Sequence, residues 1–398
     1  MEPPEVALVA GEPSGDLLGS HVVAELLRRL PGLGCAGIGG QRLREAGLRA
    51  WWNSERLAVN GFAAVLPRLP ELLWIRWRLG QRLLARPPRV FVGVDAPDFN
   101  LALEARLRAA GIPTVHMVSP SIWAWRRERI QGIERAVDHL LCVFPFEPRL
   151  YAGTRVRASY IGHPLAEVIP LHPDSAAARQ RLGLEAPAGG VLAVLPGSRA
   201  GEVQHIAGAF FDAAARLQRQ RAMTVVVAAA HAGLLPQLRR AAARHPGLAL
   251  HWVLGDSHAV LQACDLALVA SGTATLECAL FKRPMVIGYR LPWLSWRLMK
   301  DRGYLPWVGL PNILAGEGLV DELLQHACTG ESLARQAGRL LDDAPRRERL
   351  QQRFAEMHAS LLRPTAALAA QAIAEAGGLE PATRSGEGPG PGRWSAAR

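Results

Sequence analysis

Short apolar runs alternate with longer amphipathic segments along most of this 398-residue chain. Runs such as Val6–Ala10, Val90–Val94 and Val191–Leu195 are each followed by a turn of small residues and then by a helical pattern. This alternation is typical of α/β proteins, in which helices connect parallel strands. The pattern begins again in the second half, without the short repeat of a solenoid, and the length suits two domains. The sequence therefore predicts an α/β fold with two doubly wound, Rossmann-like parallel-sheet domains.

Four parts of the chain can be distinguished. Residues 1–167 are predicted to form the first domain and residues 168–340 the second, with a link near residues 165–173. Residues 341–376 are expected to be helices that pack on the first domain or on a partner subunit. Residues 377–398 are rich in Gly, Pro, Ser and Arg and lack apolar periodicity, so we expect a disordered tail.

The formal net charge of +11 is consistent with an anionic partner, and nucleic acid, acidic lipid head groups and phosphorylated substrates all fit. The alternative is a solvated arginine-rich surface without such a partner, so the charge alone does not decide. The N-terminus lacks the basic region of a signal peptide, and no apolar run approaches the ~20 residues of a membrane-spanning helix. The five cysteines include no close pair, which favours reduced thiols. We expect a cytoplasmic protein, at most peripheral to a membrane.

The turns that follow strands are the candidate sites, because open parallel sheets bind ligands beyond the carboxyl ends of their strands. The first such turn contains Gly11, Gly15 and Gly19. This spacing departs from the dinucleotide-binding fingerprint, so NAD is disfavoured. Its glycines and the following helix N-terminus suit an anion, although Ser14 or Asp16 could simply cap the helix.

A second turn carries two carboxylates, Asp95 and Asp98, after the strand that ends at Val94. A carboxylate at this position could accept the proton of an attacking hydroxyl in an inverting sugar transfer. Either side chain could instead cap the helix that begins near Phe99. Both interpretations can hold together, with Asp98 as the cap and Asp95 reaching the cleft.

Two turns of the second half offer groups that suit phosphates. Gly197 and Ser198 supply donors at a helix N-terminus, and Arg199 supplies a guanidinium fork. A later turn of small hydroxylated residues leads to Glu277, which could accept hydrogen bonds from ribose hydroxyls. Each turn alone is common, but together they predict a nucleoside diphosphate site within one domain. The predicted UDP-binding set is Gly197, Ser198, Glu202, Ser271, Gly272, Thr273, Ala274, Thr275, Glu277 and Asn312, of which Asn312 could equally be an ordinary turn residue.

In this order, the turns closely resemble the lipid A disaccharide synthase family, GT-B glycosyltransferases of Gram-negative bacteria. The matching segments are residues 10–16 (AGEPSGD), 93–100 (GVDAPDFN), 118–126 (VSPSIWAWR), 144–147 (FPFE), 161–165 (IGHPL), 195–199 (LPGSR), 270–277 (ASGTATLE) and 310–315 (LPNILA). The resemblance implies a GT-B fold, with two domains facing a cleft and C-terminal helices that cross back.

It also implies a reaction and a set of residue roles. The reaction moves 2,3-diacylglucosamine from UDP to 2,3-diacylglucosamine 1-phosphate (lipid X) with inversion, in lipid A biosynthesis, and yields a β-1,6-linked disaccharide 1-phosphate and UDP. Asp95 would be the general base and Arg199 would neutralise the departing UDP, with no metal and no cofactor. The acceptor side would comprise Gly11, Glu12, Ser14, Gly15 and Asp98.

Because both substrates carry acyl chains, the resemblance implies a peripheral enzyme at the cytoplasmic face of the inner membrane. The predicted membrane patch comprises Val65, Leu66, Leu69, Leu72 and Leu73. Ile75 and Trp77 continue this apolar set, and the flanking Arg76 and Arg78 suit an interfacial segment. A core helix of the first domain is the alternative. The family further implies a domain-swapped homodimer formed through the C-terminal helices.

Three alternatives remain at this point. Another UDP-sugar-dependent GT-B enzyme, such as a UDP-N-acetylglucosamine 2-epimerase or the lipid II-forming transferase, would share the fold and the UDP-binding half. A non-catalytic nucleotide-sugar or lipid-binding protein would not need a base such as Asp95. A nucleic-acid binder is disfavoured, because the sequence shows no basic and aromatic repeat and no known binding motif.

Overall fold

The computed structural model describes residues 3–57, 62–124, 126–184, 189–292, 297 and 304–380, with the backbone alone for residues 62–66. Within these residues the chain forms one seven-stranded and one six-stranded sheet, and the neighbouring strands in both are parallel. We call the parts built around the two sheets the first and the second domain. Residues 381–398, most of the predicted tail, lie outside the described residues.

The first sheet has the strand order β3-β2-β1-β4-β5-β6-β7. Its strands are β1 (Val6–Ala10), β2 (Cys35–Gly39), β3 (Arg49–Asn53), β4 (Val90–Val94), β5 (Thr114–Met117), β6 (His139–Cys142) and β7 (Arg157–Tyr160). The order reverses between β1 and β4, which pair directly. The turns after these two strands therefore lie side by side at the point where open α/β sheets bind ligands.

Helices cover both faces of the first sheet. They are α1 (Pro13–Arg29), α2 (Gln41–Glu45), α3 (Phe62–Ala85), α4 (Pro97–Ala109) and α5 (Arg129–Ala136). Alternate residues of β1 enter different cores, because successive side chains of a strand point to opposite faces. Val6 and Leu8 pack with α1, whereas Ala7 and Val9 pack with α3 and α4.

The second sheet has the order β10-β9-β8-β11-β12-β13. Its strands are β8 (Val191–Leu195), β9 (Thr224–Ala229), β10 (Leu250–Leu254), β11 (Leu266–Ala270), β12 (Met285–Tyr289) and β13 (Asp321–Leu324). The accompanying helices are α6 (Pro164–Val168), α7 (Ser175–Arg181), α8 (Ala200–Gln220), α9 (Leu235–Ala242), α10 (Ser257–Ala263), α11 (Thr273–Leu280), α12 (Leu310–Ala315) and α13 (Gly330–Asp342). Here the order reverses between β8 and β11, so the two turns predicted to bind phosphate are neighbours.

The last two helices connect the second domain with the first. Helix α14 (Ala344–Leu361) contributes Phe354 and Leu361 to the core of the second domain. Helix α15 (Thr365–Gly377) packs along α1 and buries Ala370 and Ile373 in the core of the first domain. The chain therefore crosses back to the domain in which it began.

The link between the domains is held by side chains of the second domain. The Lys282 ammonium group donates to the carbonyl oxygen of Pro170 at 3.1 Å and lies 2.6 Å from Nδ1 of His358. Nε2 of the same imidazole lies 2.8 Å from the carbonyl oxygen of Ala166. The carbonyl oxygens of Ala166 and Pro170 in the link are thus bound by side chains that pack with the second domain.

The α/β fold of two parallel-sheet domains confirms the prediction from sequence, but four of the strands are not marked by an apolar run in the sequence. β3, β7 and β13 are edge strands with half-buried, partly polar sequences, and such strands lack a continuous apolar run. β2 is buried but consists largely of small residues.

None of the helices in the described part of the chain is both long enough and apolar enough to cross a membrane.

The packing of α15 on α1 makes a prediction about stability. Ile373 is wholly buried there, so Ile373→Ala should lower the free energy of unfolding of the first domain by about 2–5 kcal/mol. Gln371→Ala changes an exposed residue of the same helix and should alter it by no more than about 0.5 kcal/mol. Urea unfolding followed by circular dichroism measures both. Equal, small effects would show that α15 is not part of the first-domain core.

Candidate active site

Two glycines bring the first turn against the second one in the first domain. A Cβ atom on Gly11 would lie 3.0 Å from that of Ala96, and one on Gly15 would lie 3.4 Å from the carbonyl oxygen of Val94. Helix α1 can therefore begin directly beside the end of β4. This approach places Glu12 within electrostatic reach of Asp95.

The backbone at Asp95 adopts an uncommon conformation. Asp95 and Ala96 have φ angles of 52° and 44°, in the left-handed region that non-glycine residues rarely adopt outside functional or strained turns. The turn is held on both sides: the Asn100 amide donates to the Asp95 carbonyl oxygen at 2.8 Å, and the Asp95 N–H donates to that of Met117 at 2.9 Å. The Asp95 side chain is thus presented from a fixed position.

Burial makes the Asp95 carboxylate a stronger base than an exposed one. Desolvation raises the pKa of Asp95, while the Ala96 N–H and the charge of His116 lower it in part. Burial also raises the pKa of Glu12, the charge of Asp95 raises it further, and the charge of Arg199 lowers it. Because Arg199 belongs to the second domain, this interaction places all three groups around one cleft.

The Asp98 side chain does not cap a helix. Its side chain is 87% exposed and accepts from the Arg129 guanidinium at 2.8 Å, while the backbone carbonyl accepts from Arg76. Helix α4 begins after Ala96 and has no side-chain cap, so the expected cap at Asp98 is wrong. The Asp98 side chain instead ties the start of α4 to α5.

Asp16 also differs from its expected role. Its buried carboxylate accepts from the backbone N–H of Gly40 at 2.6 Å and of Arg42 at 3.1 Å, at the start of α2. Helix α1 begins after Glu12 and has no side-chain cap, and Ser14 is exposed. Asp16 therefore connects α1 to α2 and leaves the N-terminus of α1 open toward the cleft.

The second domain contains a cavity of about 360 Å³ at the carboxyl ends of β8, β9, β10 and β11. Eight of the predicted UDP-binding residues line it, together with Arg199: Gly197, Ser198, Glu202, Ser271, Gly272, Thr273, Ala274 and Glu277. The N-termini of α8 and α11 both face this cavity, and helix N-termini favour anions. Ala228, Ala229, Gly255 and Ser257 form another wall of the cavity that was not predicted, because small residues at strand ends give no distinctive signal in the sequence.

Gly197 and Glu202 determine the shape of the turn after β8. Gly197 has a φ angle of 105°, and a Cβ there would lie 2.9 Å from a carboxylate oxygen of Glu202. That carboxylate accepts from the Arg199 guanidinium at 3.2 Å, while the Arg199 side chain remains 62% exposed at the edge of the cavity. The turn therefore presents a cation to the cleft beside a helix N-terminus.

Thr275 and Asn312 support the cavity from behind and do not line it. Both are wholly buried. The Thr275 hydroxyl donates to the Gly272 carbonyl oxygen, and the Asn312 side chain exchanges hydrogen bonds with the backbone of Val320 and donates to Glu322. Their predicted contact with UDP is corrected accordingly: these polar groups satisfy buried backbone atoms and fix the turns around the cavity.

Tyr304 joins the two domains beside the cleft. Its N–H donates to the carbonyl oxygen of Ala124 at 3.1 Å, and the Arg127 guanidinium lies 4.7 Å from the centre of its ring. Ala124 and Arg127 belong to the segment that follows β5 in the first domain. These contacts hold the two sheets with the carboxyl ends of their strands facing each other across the cleft.

Helix α3 carries apolar side chains on two faces. Its inner face packs in the first-domain core through Ile75, Leu79 and Leu83. Its outer face exposes 41–52% of Leu69, Leu73, Trp74 and Trp77. Within the predicted patch, Leu72 is half-buried, and the side chains of Val65 and Leu66 lie outside the described residues. A consecutive apolar run winds around the helix, which is why Ile75 is buried although Trp74 is exposed.

The chain matches the family model of the lipid-A-disaccharide synthetase LpxB over residues 6–376. The chain belongs to this family. It is 51% identical to the lipid-A-disaccharide synthase of Albidiferax ferrireducens, covering 93% of this chain and 96% of the relative. It is 52% identical to that of Paraburkholderia xenovorans, with 94% and 96% covered. Family membership confirms the resemblance and the activity class, a glycosyltransferase of lipid A biosynthesis.

Solved structures of other enzymes share the fold. MurG of Acinetobacter baumannii superposes with a TM-score of 0.58 at 14% identity, covering 94% of this chain and all of that one. A UDP-GlcNAc 2-epimerase from Neisseria meningitidis bound to UDP-GlcNAc gives 0.61 at 10% identity, with 93% and 98% covered. These distant likenesses confirm the GT-B architecture of two facing domains.

No group of three or more His, Cys, Asp or Glu side chains in the part of the chain that the structure describes could hold a metal ion.

The turn at Gly197 generates a prediction about nucleotide binding. Gly197→Ala forces a side chain into the left-handed region and against Glu202, so the Kd for UDP should rise roughly tenfold or more. Gly201→Ala makes the same change in the first turn of α8, where a Cβ meets nothing within 4 Å, and should leave the Kd unchanged. Isothermal titration calorimetry with UDP compares them. Equal affinities for both variants would contradict the proposed role of this turn.

Proposed function

We propose that the enzyme transfers 2,3-diacylglucosamine from UDP to 2,3-diacylglucosamine 1-phosphate (lipid X) and forms the β-1,6-linked disaccharide 1-phosphate. The observation that carries this proposal is the meeting of Glu12 and Asp95 of the first domain with Arg199 of the second, beside a cavity built from two helix N-termini. A candidate base and a candidate site for a departing diphosphate therefore face each other across one cleft.

Asp95 would act as the general base. Its carboxylate takes the proton of the acceptor's 6-hydroxyl, and the hydroxyl oxygen bonds to the anomeric carbon of the donor. The bond from that carbon to the UDP phosphate oxygen breaks at the same time, and its electron pair leaves with UDP. Attack from the face opposite UDP inverts the configuration. The raised pKa of Asp95 supports this role, because a base of higher pKa takes a proton more readily once it is ionised.

Arg199 and the two helix N-termini would stabilise the departing UDP. Negative charge develops on the diphosphate as the glycosidic bond breaks, and donors already in position stabilise it without rearrangement. The backbone N–H groups that begin α8 and α11 and the Arg199 guanidinium provide such donors. Glu277, which lies 3.7 Å from Nε2 of His258, would accept from the ribose hydroxyls deeper in the cavity.

The outer face of α3 would bring the enzyme to the cytoplasmic face of the inner membrane as a peripheral protein. Trp74 and Trp77 have amphipathic rings suited to the head-group region, and the exposed Leu73 extends the same apolar surface. The exposed Arg68 and Arg78 on the same helix would attract anionic lipids. Both acylated substrates would then reach the cleft from the bilayer surface.

We further propose that the protein forms a homodimer through its C-terminal helices. Helix α15 already packs on α1 of its own chain, so a partner would have to meet the surfaces that α14 and α15 leave exposed. Sedimentation velocity at micromolar concentration distinguishes a dimer from a monomer.

Replacing the proposed base makes the sharpest prediction about chemistry. Asp95→Asn keeps the size of the side chain but removes the proton acceptor, so kcat should fall by about 10²-fold or more. UDP affinity should stay unchanged, because Asp95 is not part of the UDP cavity. Initial rates of disaccharide formation and calorimetry with UDP measure the two effects. Full turnover by this variant would rule out Asp95 as the base.

Arg199→Ala should impair both binding and turnover. Loss of a charged hydrogen-bond donor should raise the Kd for UDP roughly tenfold and should also lower kcat. Arg219→Ala removes an exposed arginine from the last turn of the same helix and serves as the matched control. If the two variants lose the same activity, the effect is one of overall charge and Arg199 has no specific role.

The membrane proposal predicts a loss of vesicle binding. Substitution of Leu73, Trp74 and Trp77 by serine should reduce co-sedimentation with anionic phospholipid vesicles several-fold, while the Kd for UDP is unchanged. Substitution of Val168, Leu171 and Leu362 by serine removes the same number of exposed apolar side chains elsewhere and should have no effect. Unchanged vesicle binding of the α3 variant would overturn the proposal.

A further inference from the structure

A buried pair of ionisable side chains lies behind the Asp95 turn and has no part in the mechanism described so far. Nδ1 of His116 lies 2.8 Å from a carboxylate oxygen of Glu104, and both side chains are 0% exposed. His116 is opposite Gly93 in the register of β5 with β4, two residues before Asp95. Ionisable groups are rarely buried so completely without a specific reason.

The surrounding backbone is shaped to hold this pair. A Cβ atom on Gly93 would overlap a carboxylate oxygen of Glu104, so only glycine leaves room for that side chain. Glu104 is on α4, one turn after Asn100, whose amide donates to the carbonyl oxygen of Asp95. One face of α4 therefore holds the Asp95 backbone through Asn100 and holds His116 through Glu104.

The pair does not satisfy all of its own polar atoms. Nε2 of His116 and one carboxylate oxygen of Glu104 are buried without a hydrogen-bond partner among the described residues. Buried polar atoms in native proteins are nearly always paired, so exceptions are candidates for function. An electrostatic role would explain why the pair is buried here, because Asp95 is the charged group besides Glu104 that acts on His116.

We propose that His116, held by Glu104, is a positioning residue that carries a positive charge behind Asp95 and keeps this carboxylate ionised when the cleft is filled by substrate. The inference rests on the proposed role of Asp95 as the base. His116 itself does not touch the substrate; it acts through Asp95.

The charges around the two groups give the direction of the effect. Asp95 interacts with His116 from β5 and with Glu12 from α1, and His116 interacts with Glu104 from α4 and with Asp95. Burial lowers the pKa of His116, but the charge and hydrogen bond of Glu104 and the charge of Asp95 raise it above its ordinary value. The His116 charge in turn lowers the pKa of Asp95, against the effect of burial.

Removing the His116 charge should therefore make Asp95 harder to ionise. A base must be deprotonated to act, so activity is lost as the pH falls through its pKa. His116→Gln should move this acid limb of the kcat profile to higher pH. We expect roughly a tenfold loss of kcat on the acid limb, a smaller loss at higher pH, and little change in KM for either substrate.

His139→Gln is the matched control. His139 is a buried histidine on the neighbouring strand β6, with Nε2 2.8 Å from the Ser159 hydroxyl. Burial lowers the pKa of His139 to about 4, so it is uncharged near neutral pH. This variant should keep the wild-type acid limb. A His116→Gln profile with the wild-type limb, or a loss of kcat that is the same at every pH, would overturn the inference.

A second measurement does not require a His116 variant that folds. The wild-type protein, Asp95→Asn and Glu104→Gln are each labelled with ¹³C-histidine and titrated by NMR. One histidine should have a lower titration midpoint in both variants than in the wild type, because each substitution removes a negative neighbour. No such histidine would overturn the inference. Failure of the proposed function is separate: it appears as full turnover by Asp95→Asn, whatever the histidine spectra show.

Discussion

The carboxyl ends of parallel strands meet along one edge of a sheet, and every group proposed to act in this enzyme depends on that constraint. In the first sheet the strand order reverses between β1 and β4, which places Glu12 beside Asp95. In the second it reverses between β8 and β11, which places the turn at Gly197 beside the turn at Gly272. Because the two edges face each other, each domain contributes one half of the proposed chemistry.

The two halves differ in how they handle charge. The first domain buries carboxylates, so the pKa of Asp95 rises, which suits its proposed role as proton acceptor. The second presents helix N-termini and Arg199, which suit the charge that develops on a departing diphosphate. The buried pair of Glu104 and His116 links these requirements, since a positive charge behind Asp95 offsets part of the cost of ionising a carboxylate in a desolvated cleft.

Sequence patterns predicted those features that depend on local order along the chain. Each strand-turn-helix unit of the site, from β1 to β11, has an apolar run followed by small residues, and nine predicted residues line one cavity. Contacts between distant segments could not be predicted in this way. The pairing of Glu104 with His116 depends on the register of β5 with β4 and on which face of α4 meets the sheet. Similarly, only the fold shows that Thr275 and Asn312 bond to buried backbone.

Product analysis tests the central claim most directly. Purified enzyme is incubated with UDP-2,3-diacylglucosamine, with and without 2,3-diacylglucosamine 1-phosphate, and the products are measured by mass spectrometry and ¹H NMR. We predict one disaccharide 1-phosphate with a β linkage for each UDP released, and no UDP without the acceptor. Release of UDP without the acceptor, reaction with a non-acylated donor, or epimerisation of the donor sugar would contradict the account.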